Sequence, residues 1–319
     1  MAQMKIAQPS SAASLSLRFL GAPKLDNILV PVDFSSATVP GILAALTLLK
    51  GNPNASLTLV HVVEPMTAGD FVDAGLLSSV ATEQRLDAAE EMMAHLKLNF
   101  GENIRITTRL VTGNPIWMLS GMASGGEYDL IAMTSHGRSG LKRAFLGSVA
   151  EGVIHRAHCP VLVVKLRHEA GETAQTVQSV TWKRILVGFD HRLGSIGALG
   201  FAGRVAEATH ASISLMNALS PQRHVITAID DEEGDETRVA EEIARLEEVK
   251  LSYFPLSADW DVAAAIGEPW DVLSERAAET HADLIVVGPH NHVLRARDFI
   301  GSTAQRMVRL APCSVLAVK

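Results

Sequence analysis

"KLDNILVPVDFS", residues 24–35, returns as "TWKRILVGFDHR", residues 181–192, at an offset of 157. Both stretches run a short, largely β-branched apolar segment into an aspartate, Asp33 in the first and Asp190 in the second. Such a run predicts a strand buried on both faces. The repetition continues outward from it. "TGNPIWMLSGMASGGEYDLIAMTSHG" (112–137) returns as "IGEPWDVLSERAAETHADLIVVGPHN" (266–291), and "AHCPVLVVK" (157–165) as "APCSVLAVK" (311–319), both at an offset of 154. The chain is a tandem duplication, and each copy is read as one unit.

Within a copy the predicted elements alternate. In the first, "NILVPVD" is a strand and "SATVPGILAALTLLKG" a helix, with Ser35 or Ser36 as cap, Pro40 in the first turn and Gly51 at the stop. "SLTLVHVVE" and "IRITTRLVT" are strands two and three, separated by the amphipathic helix "EQRLDAAEEMMAHLKLNF". The short helix "PIWMLSGMASGG" leads to "YDLIAMT", and a last helix after Gly147 leads to "PVLVVK". Strand–helix alternation with right-handed crossovers implies a doubly wound parallel sheet. The expected fold is α/β, with two tandem five-stranded, Rossmann-like domains. The expected boundaries are an N-terminal arm at 1–24, a first domain at 25–166, a polar linker at 167–181 and a second domain at 182–319. The second copy carries an acidic run, "DDEEGDE" (230–236), which reads as a solvated loop before its second helix.

Composition narrows the function classes. Of 319 residues 47% are hydrophobic and 20% charged, enough for a substantial core. The net charge of −7 argues against nucleic acid as a main partner, because a phosphate backbone calls for a concentrated basic face. The two cysteines, Cys159 and Cys313, fall at equivalent places in the repeat and form neither a disulfide framework nor a zinc site. A reducing compartment follows. No apolar run approaches the roughly 18 residues that span a membrane. Pro9, a Ser-rich middle and Arg18 interrupt any secretory core in the arm. The expected location is cytoplasmic.

Ligands of doubly wound sheets bind beyond the carboxyl ends of the strands, where the strand order reverses. Asp33 ends the first strand there, and "TSHGRSGLKRAFLGS" (134–148) follows the fourth. If these strands are neighbours, an acid and a glycine-bearing loop converge on one crevice. Gly137 allows close backbone approach to an anion, and Gly147 with Ser148 opens a helix whose free N–H groups favour negative charge. A ligand-free reading stands beside this one: Ser148 with Glu151, and Ser302 with Gln305, match a capping box that stabilises the helix start by itself. The loop is neither a Walker loop nor a dinucleotide fingerprint.

Together "PVDFS", "HVVEP", "SHGRSGLKRAFLGSVAE" and "CPVLVVK" resemble the landmarks of the universal stress protein family, in two copies covering nearly all of the chain beyond the arm. The nucleotide-binding members of that family carry G-x2-G-x9-G-[ST] after the fourth strand. The first copy reads Thr134-x2-Gly137-x9-Gly147-Ser148, lacking the leading glycine; the second reads Gly288-x2-Asn291-x9-Gly301-Ser302, lacking the central one. The resemblance implies an adenine nucleotide alpha hydrolase-like fold that binds ATP, with or without Mg2+. It implies that Asp33 and the backbone near Pro31 and Val32 meet the adenosine, and that the backbone of Val62 meets adenine. It assigns the phosphates to Gly137, Arg138, Gly147, Ser148 and Val149, with Thr134 beside them. The second copy, with Asp190, Gly288, Asn291, Gly301 and Ser302, is expected to be weaker or empty. There Gly188-Phe189 replaces Pro31-Val32, and Met216-Asn217 is aligned with His61-Val62.

The resemblance also implies that the two halves pack as an internal pseudo-dimer through "PVLVVK" and "SVLAVK". The implied function is a stress-response, nucleotide-dependent switch or partner-binding protein, acting as a homodimer of tandem chains on an unidentified protein partner. A weak ATPase on the same scaffold, or a nucleotide-free interaction module, are the alternatives. No catalytic residue is assigned, because no general base is evident and no serine sits in G-x-S-x-G. His290 and His292 lack carboxylate or cysteine ligands at suitable spacing, so no metal site is assigned. His155 and His158 read as cations at a helix end. His136, Lys142 and Arg143 read as loop residues that touch phosphate or face solvent.

Overall fold

The computed structural model describes residues 23–65, 78–100, 104–135, 146–165, 179–221, 232–253, 259–289 and 301–319. In the first half β1 (Asn27–Pro31), β2 (Ser56–Val63), β3 (Arg105–Thr112), β4 (Leu130–Thr134) and β5 (Val161–Val164) alternate with α1 (Val39–Leu49), α2 (Ser78–Phe100), α3 (Pro115–Ser124) and α4 (Ser148–Arg156). The second half repeats this with β6 (Arg184–Gly188), β7 (Ser212–Leu219), β8 (Trp260–Ile266), β9 (Leu284–Val287) and β10 (Ser314–Ala317). Its helices are α5 (Leu193–Thr209), α6 (Glu232–Tyr253), α7 (Pro269–Glu279) and α8 (Ser302–Leu310).

All ten strands form one sheet in the order β3-β2-β1-β4-β5-β10-β9-β6-β7-β8. Pairing is parallel within each half and antiparallel at the seam, where Leu162 meets Leu316 and Val163 meets Val315. β1 lies beside β4, with Ile28 opposite Leu130. The order reverses between these strands, so the crevice at their carboxyl ends is the ligand position of a doubly wound sheet. Strands of four or five largely apolar residues suit this place, because helices cover both faces. Helices α1, α2, α5 and α6 pack one face into a single core that crosses the seam, and α3, α4, α7 and α8 pack the other.

Several local expectations differ from what forms. A single 3-10 turn, Ser36–Thr38, precedes α1, and Ser35 directs its hydroxyl to Asp33 instead of capping. The capping boxes do not form: Gly147 and Gly301 are the N-caps, while Ser148 and Ser302 are the first helical residues. The Glu151 side chain instead reaches Arg309 across the seam, and the equivalent pair brings Gln305 to His155 at 3.2 Å. Most of the acidic run is helix, since α6 begins at Glu232; acids there suit the positive end of the helix dipole.

Lys165 follows β5 and donates to the carbonyls of Ala311 at 2.9 Å and Arg309 at 3.4 Å, at the end of α8. Burial lowers its ammonium from 10.5 to about 8. Burial raises the Cys159 thiol from 9.0 to about 12. The two shifts act in opposite directions on stability. Between pH 8 and 10.5 the unfolded chain holds a proton that folded Lys165 has released, so this group adds stability as pH rises. Between pH 9 and 12 folded Cys159 holds a proton that the unfolded chain has lost, so this group subtracts it. Urea midpoints measured against pH are expected to keep the fall but lose the rise in Lys165→Met, and to keep the rise but lose the fall in Cys159→Ala.

Candidate functional site

A cavity of about 570 Å³ opens at the carboxyl ends of β1 and β4. Its lining includes Pro31, Val32, Asp33, Val62, Thr134, Gly147, Ser148 and Val149, which are all the first-half candidates that fall within the described residues. Gly137 and Arg138 of the first copy, Asn291 of the second, and the loop residues His136, Lys142, Arg143, His290 and His292 lie outside them.

Asp33 is fixed by the turn that follows β1. Its Oδ1 accepts from Ser35 N at 3.0 Å, Ser35 Oγ at 2.6 Å and Thr38 Oγ1 at 2.8 Å. These bonds hold Phe34 in the left-handed region at φ 61, where a bulky side chain is uncommon. Val32 donates its N–H to Val60 O at 2.8 Å, and His61 Nδ1 donates to Val32 O at 2.7 Å. Both backbone groups of Val32 are therefore engaged within the protein, and its main offer to a ligand is apolar wall. Val62 differs. β1 ends with Pro31 opposite Val60, so residues 61–63 of β2 extend past it. Backbone direction alternates along a strand, and Val62, two residues beyond Val60, turns its N–H and C=O toward the cavity.

At the other end, Gly147 donates its N–H to Ser135 O at 2.7 Å. A Cβ built on Gly147 would stand 3.3 Å from that oxygen, tighter than ordinary contact. α4 starts at Ser148, aiming its first backbone N–H groups into the same space. The cavity thus has Val62, Ala89 and Met92 as apolar wall beside Arg85 and Glu64 on the β2 and α2 side, and an electropositive end at α4, with the Asp33 carboxylate also in its lining.

The lining also contains residues that sequence reasoning did not select: Phe34, His61, Arg85, Ala89, Met92 and Leu119. Phe34 stacks on His61 with ring centroids 4.3 Å apart. Among the described side chains of α2, Ala89 and Met93 are the fully buried positions, one turn apart, and of the two Ala89 lines the cavity.

In the second half Asp190 sits in the same turn. Its N–H donates to Ser195 Oγ at 3.2 Å, as that of Asp33 does to Thr38 Oγ1 at 3.2 Å. The β6–β7 register corrects one sequence alignment. Phe189 N donates to Met216 O, as Val32 N donates to Val60 O, so Asn217 matches His61 and Ala218 matches Val62. The second copy is one residue shorter between these strands, so the offset falls from 157 at the first strand to 156 at the second, whereas pairing His61 with Met216 takes an offset of 155. Gly288 has a packing role here: a Cβ on it would lie 2.2 Å from Gly194 O. Gly301 caps α8 and Ser302 begins it.

His155 lies in the last turn of α4. His158 Nδ1 pairs with Ser124 Oγ at 2.8 Å. Among the described residues no group of three or more His, Cys, Asp or Glu side chains could hold a metal ion, and no helix is long and apolar enough to cross a membrane.

Fold and site together define a tandem α/β protein with its crevice at the switch point of the sheet. The model of the universal stress protein family matches residues 24–165 and again 181–319, and the chain belongs to that family. Universal stress protein MJ0531 of Methanocaldococcus jannaschii is 32% identical over 141 residues, covering 43% of this chain and 81% of that protein. Universal stress protein MJ0577 of the same organism is 31% identical over 155 residues, covering 44% of this chain and 95% of its own length. The crystal structure of a universal stress protein from Archaeoglobus fulgidus aligns over 92% of this chain and 98% of its own, with a TM-score of 0.65 and 22% identity. That last likeness is one of fold.

Proposed function

We propose that the first half binds an adenine nucleotide, ATP in the first instance, and that occupancy acts as a switch on conformation or on association with a partner protein. The observation that carries this reading is the single cavity that gathers Asp33, Val62, Gly147 and Ser148. Its volume of about 570 Å³ falls within the range of small-molecule sites. An adenine ring would lie at the apolar wall, against Phe34, Ala89 and Met92, with its polar edge toward the backbone of Val62. The ribose would lie near Asp33, whose carboxylate is an acceptor for hydroxyls. The phosphates would reach the start of α4, where unpaired N–H groups and the helix dipole favour anions. Mg2+, where present, would enter bound to phosphate oxygens. The chain would act in the cytoplasm as a homodimer.

The test is to extract purified protein with acid, identify released nucleotides by chromatography, and titrate the stripped protein with ATP. ATP or ADP is expected in the extract, or saturable binding on titration. An empty extract together with no binding at millimolar ATP would remove the nucleotide reading.

A further inference from the structure

The lining of the first-half cavity has a polar counterpart in the second half. Phe34 and His191 each follow the aspartate that ends the first strand of their half, and each has φ 61. His61 and Asn217 each stand one residue beyond the carbonyl that accepts from Val32 or Phe189. Ala89 and Met93 are the fully buried pair of α2, and Glu242 and Leu246 are the corresponding pair of α6. The trio Phe34, His61 and Ala89 therefore becomes His191, Asn217 and Glu242.

Glu242 bonds to both of the other two side chains. Glu242 is only 3% exposed. Its Oε1 meets His191 Nε2 at 2.6 Å and accepts from Asn217 Nδ2 at 2.9 Å, while Oε2 lies 3.6 Å from Arg245 Nη1. A buried carboxylate is costly unless its oxygens are paired, and here both have partners supplied by the chain. The arrangement is complete without a ligand. It also replaces the methyl of Ala89 with a longer carboxylate side chain at the place where the first half leaves room for a ring.

A second closure lies at the strand ends. A Cβ on Gly194 would stand 2.4 Å from Pro289 O, and one on Gly288 2.2 Å from Gly194 O. Backbone thus meets backbone between the start of α5 and the end of β9.

We propose that Glu242, clamped by His191 and Asn217, is an internal plug in the base pocket of the second half and limits each chain to one nucleoside. This rests on the nucleotide reading of the first half, but the two fail separately. Glu242, Asn217 and His191 would be the residues that make the halves unequal, independently of the loop glycines.

The test is equilibrium dialysis with adenosine, which needs only the base and ribose end of a site. The unmodified chain is expected to bind one equivalent, lost in Ala89→Trp. The variant His191→Phe/Asn217→His/Glu242→Ala is expected to bind two, and one when Ala89→Trp is added. Two equivalents on the unmodified chain would overturn the plug and leave the nucleotide reading intact. So would a single equivalent that survives Ala89→Trp, since it would lie in the second half. A triple variant with unchanged circular dichroism that still binds one would also overturn the plug. Zero on the unmodified chain and one on the triple variant would overturn the first-half reading and support the plug. Zero on both would overturn both. Should the triple variant not fold, Glu242→Ala alone is read in its place: a second equivalent supports the plug, and one equivalent with unchanged circular dichroism overturns it.

Discussion

Gly147→Val is expected to lower ATP affinity about 10-fold or more while leaving the chain folded. The estimate follows from losing one or two charge-assisted hydrogen bonds between phosphate and the first N–H groups of α4, at about 1.5–3 kcal/mol each. The backbone at Gly147, φ −61 and ψ 143, is open to any residue, so the substitution introduces no left-handed strain. Its effect is steric. The Cβ would press on Ser135 O at 3.3 Å, and the added methyl groups would crowd the start of the helix. Such overpacking costs stability by about 1–3 kcal/mol, which a thermal melt would register as a modest shift. Asp33→Ala should behave differently. It removes the acceptor of three internal hydrogen bonds and releases the turn that holds Phe34, so binding and stability fall together. Calorimetric titration beside thermal melts separates the two patterns. An ATP affinity unchanged in both variants would exclude this cavity as the site.

Leu316→Asp is expected to destroy cooperative folding of both halves. Leu316 is 1% exposed and faces Leu162 across the antiparallel seam. An unpaired carboxylate there costs several kcal/mol, against a typical total stability of about 5–15 kcal/mol. Leu316→Ala, which leaves a cavity without a charge, should cost about 2–5 kcal/mol and shift a single urea transition. The loss should reach both halves because the core beneath the seam is continuous, joining Leu162 and Val164 to Leu316 and Val318. Urea unfolding read by tryptophan fluorescence in a Trp117→Phe background, which leaves Trp182, Trp260 and Trp270 of the second half, and by circular dichroism would show it. Two separate transitions in Leu316→Ala, with one unmoved, would mean that the halves fold independently.

The repeat by itself determined the architecture. Short β-branched runs alternating with helical patterns leave a parallel, doubly wound sheet as the economical way to bury both strand faces. The pairing of "PVLVVK" with "SVLAVK" at the seam was expected from the family resemblance and not from the residues themselves, and the two strands do pair there. Asp33, Thr134 and Gly147 could be selected as candidates because strand ends and helix starts are local features.

What remained hidden depends on which element stands beside which. The adjacency of β1 and β4 creates the crevice, yet strand order leaves no mark on local sequence. Ser148 and Glu151 satisfied a capping pattern, but Gly147 holds the cap position and Glu151 turns to Arg309, a partner 158 residues away. Glu242 is the sharpest case. In "AEEIARLEEV" it reads as one of several solvated acids on a charged helix, and only its position opposite Asn217 and His191 buries it. A carboxylate's environment is set by its neighbours in space, so the sequence determined two similar halves with unequal loop glycines, and only the tertiary structure decided that Glu242 is buried where the first half has Ala89.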